Sequence, residues 1–203
     1  MQSRIGIVVT LLGVLTAACS SGPPPPDDSA YLEQLTERRA AKDRAFAEEP
    51  EPIPVAKRST LLPLPYYPPD RRFAIPAALQ LAAERPYVEM PTSTGTIRRM
   101  QLIGTLEFTL QGKPMSLGAF VEAGTTRIES LFVPFADLTT GKETYSAGRY
   151  LDVEPTETGL YALDFNRAYN PTCAYNEAFE CPYPPSSNRL KVEIRAGEKA
   201  PKT

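Results

Sequence analysis

The amino-acid sequence predicts a mainly β fold, an antiparallel sandwich or a partly open barrel with one N-terminal helix and long Pro-rich loops. Three observations lead there. Apolar and polar residues alternate through residues 99–110 except at Ile103, similar short stretches recur as far as residue 195 with no helical pattern between them, and a single helix-forming segment precedes them all. A chain of 203 residues, shortened by a leader and a tether, suffices for one domain with its own core.

The leader comes first. Arg4 closes a short positive start, and residues 5–18 are an apolar run broken only by small residues such as Gly6, Thr10, Gly13 and Thr16. That is an export-signal core, shorter than the roughly 20 residues a spanning helix requires. It ends in Leu15-Thr16-Ala17-Ala18-Cys19, which resembles the lipobox cut by the lipoprotein signal peptidase. Residues 1–18 are therefore expected to be removed and Cys19 to be acylated, with a plain secretory cut and a free Cys19 as the alternative. A thioether-linked diacyl group plus an N-acyl chain holds a membrane far better than one chain. Ser20, rather than Asp, follows Cys19; in a cell with two membranes this points to the outer one, facing the periplasm. Residues 19–29 carry four prolines at 23–26 and then Asp27-Asp28, cannot bury apolar surface, and read as a tether. Residues 30–203 are expected to form the single β-rich domain with its helix.

From Ser29, a possible N-cap, helix formers run to Pro50, a stop. Tyr31, Leu32, Leu35 and Phe46 are its apolar anchors. Arg38, Arg39, Lys42 and Arg44 lie between them, interleaved with Glu33, Glu37 and Asp43, and this mixture reads as a solvated face. Residues 51–76 hold Pro52, Pro54, Pro63, Pro65, Pro68, Pro69 and Pro76, too many for a central strand. Leu61, Leu62, Leu64, Tyr66, Tyr67 and Phe73 still give that stretch something to bury. An irregular segment wrapped on the domain surface is expected.

The β signal begins near Tyr87. Met100, Leu102, Gly104, Leu106, Phe108 and Leu110 share one parity, and Gly104 is expected to mark a bend or bulge without shifting the register. Gln111-Gly112-Lys113 supplies a hairpin turn into Met115, Leu117, Ala119 and Val121. Further strands are expected at 128–133, 148–153, 160–165 and 189–195, the last with Leu190, Val192 and Ile194 inward.

Composition removes several classes of function. A net charge of −2 lacks the basic footprint of a nucleic-acid partner. With no histidine, His-based triads and His-ligated metals are excluded, and no cofactor is expected. Cys173 and Cys181 remain as a pair in an oxidising compartment. A structural disulfide is the default, worth about 2 to 3 kcal/mol by the chain-entropy argument. A redox pair or a two-thiolate metal site is the sharper alternative, without Cys-x-x-Cys spacing or a histidine to support it.

The segment 131–152, with Thr140-Gly141-Lys142-Glu143-Thr144-Tyr145 and Gly148-Arg149-Tyr150-Leu151-Asp152, continues into Leu163-Asp164-Phe165-Asn166-Arg167-Ala168-Tyr169-Asn170-Pro171 and on to residue 175. Together they resemble an uncharacterised bacterial domain-of-unknown-function family, the one numbered 1684. Cys181-Pro182, Pro184-Pro185, Asn188-Arg189-Leu190 and Ala196-Gly197-Glu198-Lys199 extend the likeness, as do Tyr66-Tyr67-Pro68-Pro69-Asp70, residues 90–95 and Lys42-Asp43-Arg44. The resemblance covers nearly all of the chain after the tether. It implies no activity, because the family has none established to carry over.

Residues 137–145 form a polar connection with Thr140-Gly141 at its tip, an ordinary turn. Ala136 stands five before Gly141 and Glu143 follows Lys142, so the P-loop pattern fails. Asp137, Thr139 and Glu143 offer oxygens to a hard cation, without EF-hand spacing. The densest group of polar and aromatic residues is Glu143, Tyr145, Arg149, Tyr150, Asp152, Asp164, Asn166, Tyr169 and Asn170. Asp164 falls opposite Tyr161, Leu163 and Phe165 on its strand, and Arg149 is its expected bidentate partner. Two readings stay open: a buried network that holds residues 166–188 on the sheet, or a pocket where Arg149 receives an anion. The expectation is a non-catalytic envelope domain, held to the membrane by lipid, that binds a small ligand or an envelope protein. One alternative is a hydrolase or lyase using Glu143 or Asp164 as acid or base, Tyr145 as proton donor and Arg149 for charge stabilisation. Another is a structural scaffold with an exposed apolar face.

Overall fold

A computed structural model describes residues 28–49, 51–154 and 156–202; the expected export signal, the expected acylation site Cys19 and the expected tether up to Asp27 lie outside the described residues. Helix α1 (Ser29–Glu48) starts from Asp28 and ends two residues before Pro50, where a proline and its restricted predecessor stop a helix. Only Leu35 of α1 is buried, so the helix is docked on the domain and is not part of its core. After it, residues 51–73 wrap irregularly as expected, with a one-turn helix α2 (Arg58–Leu61). Ile53, Leu61, Leu64 and Tyr175 form a small satellite core there, with Phe46 of α1 packed against it.

Seven strands follow: β1 (Ala74–Leu81), β2 (Tyr87–Pro91), β3 (Ile97–Leu110), β4 (Lys113–Glu122), β5 (Leu131–Phe135), β6 (Arg149–Val153) and β7 (Leu160–Asp164). All pairings are antiparallel in one sheet of order β6-β5-β4-β3-β1-β7, with β2 also on β3. The sheet curls into a half-barrel, the partly open form of the expected fold. Leu106, Leu117, Val133, Phe135, Leu163, Phe165 and Ile194 fill its centre, each contributing about 1.5 to 3 kcal/mol of burial.

The β3–β4 turn is the two-residue hairpin that the sequence announces. Gln111 and Gly112 have φ of 53° and 74°, the left-handed pair whose twist matches the flanking strands. The bulge in β3 is present too, but it shifts the register, against expectation. Leu102 pairs with Phe120 and Gly104 with Ala119, which leaves Ile103 unopposed. One inserted residue flips every side chain beyond it to the other face. Met100 therefore packs with Met90 and Phe120 outside the half-barrel, whereas Leu106, Phe108 and Leu110 of the same sequence parity join the main core. Gly104 itself is required by proximity: a Cβ there would lie 2.3 Å from the Gln80 carbonyl oxygen.

Two further expectations are corrected. β1, read as the end of an irregular segment, is a central strand between β3 and β7. Pro76 is tolerated because it pairs only with Ala162 of β7, and the ladder to β3 begins one residue later. Residues 189–195, read as a strand, form no ladder. Leu190, Val192 and Ile194 are buried as the alternation implies, but the backbone bonds go to the 136–138 segment, from Leu190 N to Ala136 O and from Leu138 N to Val192 O.

Candidate functional site

Gly148 leads into Arg149, the first residue of β6, whose side chain is 0% exposed. Its Nη2 donates to Asp137 Oδ2 at 2.9 Å and to Ile194 O at 2.8 Å. Its Nη1 donates to Ala196 O at 2.5 Å and Glu198 O at 3.1 Å, and the cation sits 5.1 Å from the Phe135 ring centre. The expected pair with Asp164 is thus replaced by one with Asp137. Asp164 ends β7 elsewhere, where its carboxylate caps the following turn through Asn166 N at 3.0 Å. Burial lowers the Arg149 pKa, with Asp137 opposing the shift. Arg149 thus stitches the 194–198 segment to the sheet and faces no open space.

The hard-cation reading of the 137–143 turn finds no support in this geometry. Asp137 Oδ1 is taken by Thr139, from N at 2.7 Å and Oγ1 at 2.6 Å. Glu143 turns away to Arg195 Nη2 at 2.7 Å and Tyr67 OH at 2.9 Å. No metal-ligand cluster occurs among the described residues. Arg195 and Tyr67 hold Glu143 down at about 2, and Tyr67 is pushed up to about 12 by burial and this carboxylate. Glu143 is therefore an ionised acceptor at neutral pH and cannot serve as a general acid.

A second node joins α1 to the end of β7. Asp164 accepts from Tyr31 OH at 3.0 Å and from Asn166 Nδ2 at 3.0 Å. Asn166 also donates to Asp70 O at 2.8 Å and accepts from Asp70 N at 2.9 Å, closing a side-chain clip across 96 positions. Burial, then Asp164, pushes Tyr31 up to about 12.

The third node centres on Glu198, a carboxylate at 1% exposure that residue patterning leaves in an unremarkable tail. It accepts from Lys42 Nζ at 2.5 Å, Tyr66 OH at 3.2 Å, Tyr175 OH at 2.6 Å and Asn170 N at 2.8 Å. Its only sequence signal is its place in the 196–199 segment that carries part of the resemblance. Burial and Glu198 raise Tyr66 and Tyr175 well above the usual tyrosine range. Tyr169 OH donates to Asp152 at 2.7 Å and Tyr150 OH to Pro182 O at 2.6 Å. Tyr150, Asp152, Tyr169 and Asn170 thus belong to the network that pins residues 166–188 to the sheet.

The basic face of α1, expected to be solvated, is instead split between solvent and this network. Arg38 and Arg44 are exposed, but Lys42 reaches Glu198 and Arg39 docks. Arg39 donates to Tyr67 O at 3.0 Å and Asn166 O at 3.4 Å and lies 4.4 Å from the Tyr66 ring centre. Its Nε is buried with no partner, and burial lowers its pKa. Beside it, between α1 and residues 166–169, opens a cavity of 380 Å³ walled by Arg38, Arg39, Lys42, Arg167, Tyr66 and Tyr169. The one carboxylate in its wall is Glu198, already occupied. Among the described residues, neither Arg38, Arg39 nor Arg167 has an ion-pair partner.

Two wider clefts lie elsewhere. One of 560 Å³ has Leu61, Ala174 and Tyr175 in its wall, with Tyr145 and three exposed lysines, Lys57, Lys142 and Lys202. The other, of 470 Å³, lies against Phe120, Phe132, Tyr150 and Cys181. Glu143, Tyr145, Arg149 and Asp164 thus occupy separate environments, and of the anticipated residues only Asn166 and Tyr169 reach the cationic cavity. Cys173 and Cys181 are buried free thiols, with Cys173 N donating to Cys181 Sγ at 3.1 Å.

Residues 60–199 match the model of a family described as protein of unknown function, DUF1684. Among solved structures, the chain is similar to an uncharacterised protein of Haloarcula marismortui determined by solution NMR. The two are 38% identical, covering 85% of this chain and 96% of that one, with a TM-score of 0.68. No curated protein matches the chain.

Proposed function

The chain belongs to the DUF1684 family of proteins of unknown function, and we propose that it is a non-catalytic domain that binds a small organic anion in the seam beneath α1. The observation that carries this reading is Arg39. Its guanidinium is half-buried, bonded only to carbonyl oxygens, and shares a 380 Å³ cavity with Arg38 and Arg167, which also lack a carboxylate partner. Desolvating a cation costs several kcal/mol unless an opposite charge answers it. A carboxylate or phosphate in the cavity answers it, and Tyr66 and Tyr169 supply flat walls for the rest of the ligand. The scattering of Glu143, Asp164, Tyr145 and Arg149 supports binding over a hydrolase or lyase, which needs acid, base and charge stabiliser around one reacting atom.

We further infer, from the sequence, that residues 1–18 export the domain, that acylated Cys19 anchors it, and that residues 19–29 tether it in the cell envelope. In a cell with two membranes its place is the outer membrane, facing the periplasm.

Native mass spectrometry of the full chain, held in detergent, tests the binding reading. The expected result is a co-purifying anion, or retention of added citrate, that Arg167→Gln weakens at least several-fold. Arg167 is exposed, so that variant leaves the fold intact. Equal retention by wild type and variant, or none by either, contradicts the proposal.

A further inference from the structure

Residues 166–188 cross the sheet as one long loop, and the two cysteines stand between its anchors. Upstream, Tyr169 and Tyr150 exchange backbone bonds of 2.8 and 3.0 Å. Downstream, Ser93 N donates to Cys181 O at 2.9 Å, Cys181 N to Ser93 Oγ at 3.1 Å, and Tyr183 N to Pro91 O at 2.8 Å. Cys173 and Cys181 are 5% and 4% exposed. They stand side by side: Cys173 N donates to Cys181 Sγ at 3.1 Å, and Tyr145 OH points at Cys173 Sγ from 4.0 Å.

Each sulfur has a donor aimed at it, Cys173 N–H at Cys181 Sγ and Tyr145 OH at Cys173 Sγ, which favours a thiolate in the pair over two buried thiols. Cys181 also forms part of the wall of the 470 Å³ cleft, beside Pro171, Thr172 and Pro182, so a small reagent has a path to the pair.

We propose that Cys173 and Cys181 form a reversible redox couple whose oxidant is a small disulfide of the glutathione type, admitted at Cys181 from the cleft. The thiolate of one cysteine attacks one sulfur of the external disulfide and expels the first thiolate. The other cysteine then gives its proton to that leaving group and attacks the protein sulfur of the mixed disulfide, expelling the second. Two electrons pass from the pair to the external disulfide, which leaves as two thiols, and the new bond closes the nine-residue stretch 173–181. The donors aimed at the two sulfurs stabilise the reduced form, and the cleft beside Cys181 leaves the bond open to exchange, unlike a permanent structural bridge. The inference is independent of anion binding in the seam.

The test treats the full chain at pH 7 with oxidised glutathione and maps peptides by mass, so that Cys19 is followed separately. Wild type should lose two hydrogens across the 173 and 181 peptides and regain them with a reducing thiol. Each single variant, Cys173→Ser and Cys181→Ser, should instead accumulate a glutathione adduct on the cysteine it keeps. No bridge in wild type, or a bridge that a reducing thiol does not reopen, overturns the proposal. Should either variant fail to fold, the loss and recovery of the two hydrogens in wild type decides alone.

Discussion

Arg149 and Arg39 are both cations taken out of water, and the difference between them organises the molecule. Arg149 has a carboxylate partner, Asp137, and three carbonyl oxygens, with its Nε left unbonded like that of Arg39; Arg39 has carbonyl oxygens and no carboxylate. Removing Asp137 leaves its charge buried and unpaired, so Asp137→Ala should cost about 3 to 5 kcal/mol in urea unfolding; a loss below about 1 kcal/mol would show that the pair does not hold the 194–198 segment. Glu143 gives a second prediction at this scale. Its pKa is depressed from 4.5 to about 2 by Arg195 and Tyr67, so the stability it contributes is present above pH 4.5 and is lost as pH falls toward 2. Glu143→Gln should flatten that part of the acid limb in thermal unfolding followed from pH 5 to 2. An unchanged limb would mean that Arg195 and Tyr67 do not stabilise the carboxylate.

At the scale of elements, the bulge in β3 decides which face each strand presents. Gly104 lies against the β1 backbone, and Gly104→Val would push the strands apart at the Gln80 carbonyl. The expected loss is about 1 to 3 kcal/mol or more, measured by urea unfolding; a neutral outcome would mean that β1 and β3 do not approach there. Helix α1 buries only Leu35 and is held by Tyr31, Arg39 and Lys42, so its amides should exchange with deuterium before those of β3 in native conditions. The elements legible in the sequence are those whose signal is local: α1 from its composition, although its N-cap is Asp28 and not the expected Ser29, and β3 and β4 from alternation around a two-residue turn. β1 is hidden because Pro76 argues against a strand and its partners lie in β3 and β7. Residues 189–195 mislead because alternation reports burial, and burial there comes from packing without a ladder. The site is less legible for the same reason: Arg149 meets acceptors 45 to 49 positions away, and Glu198 gathers partners from α1, from residue 66 and from the 170–175 turn.

For the whole molecule, the consequence is a half-barrel closed by polar stitching, with a seam beneath α1 where three arginines lack a carboxylate partner among the described residues. The loop 166–188 is pinned, the sheet core is filled, and the anticipated centre around Arg149 is sealed. The seam beneath α1 retains both space and unanswered charge. The direct test is a titration of the isotope-labelled chain with citrate, followed by amide NMR. The account predicts saturable shifts centred on residues 38–42 and 166–169 that Arg167→Gln weakens. Shifts confined to the lysine-lined cleft around Lys57, Lys142 and Lys202, or no saturable shifts at all, would contradict it.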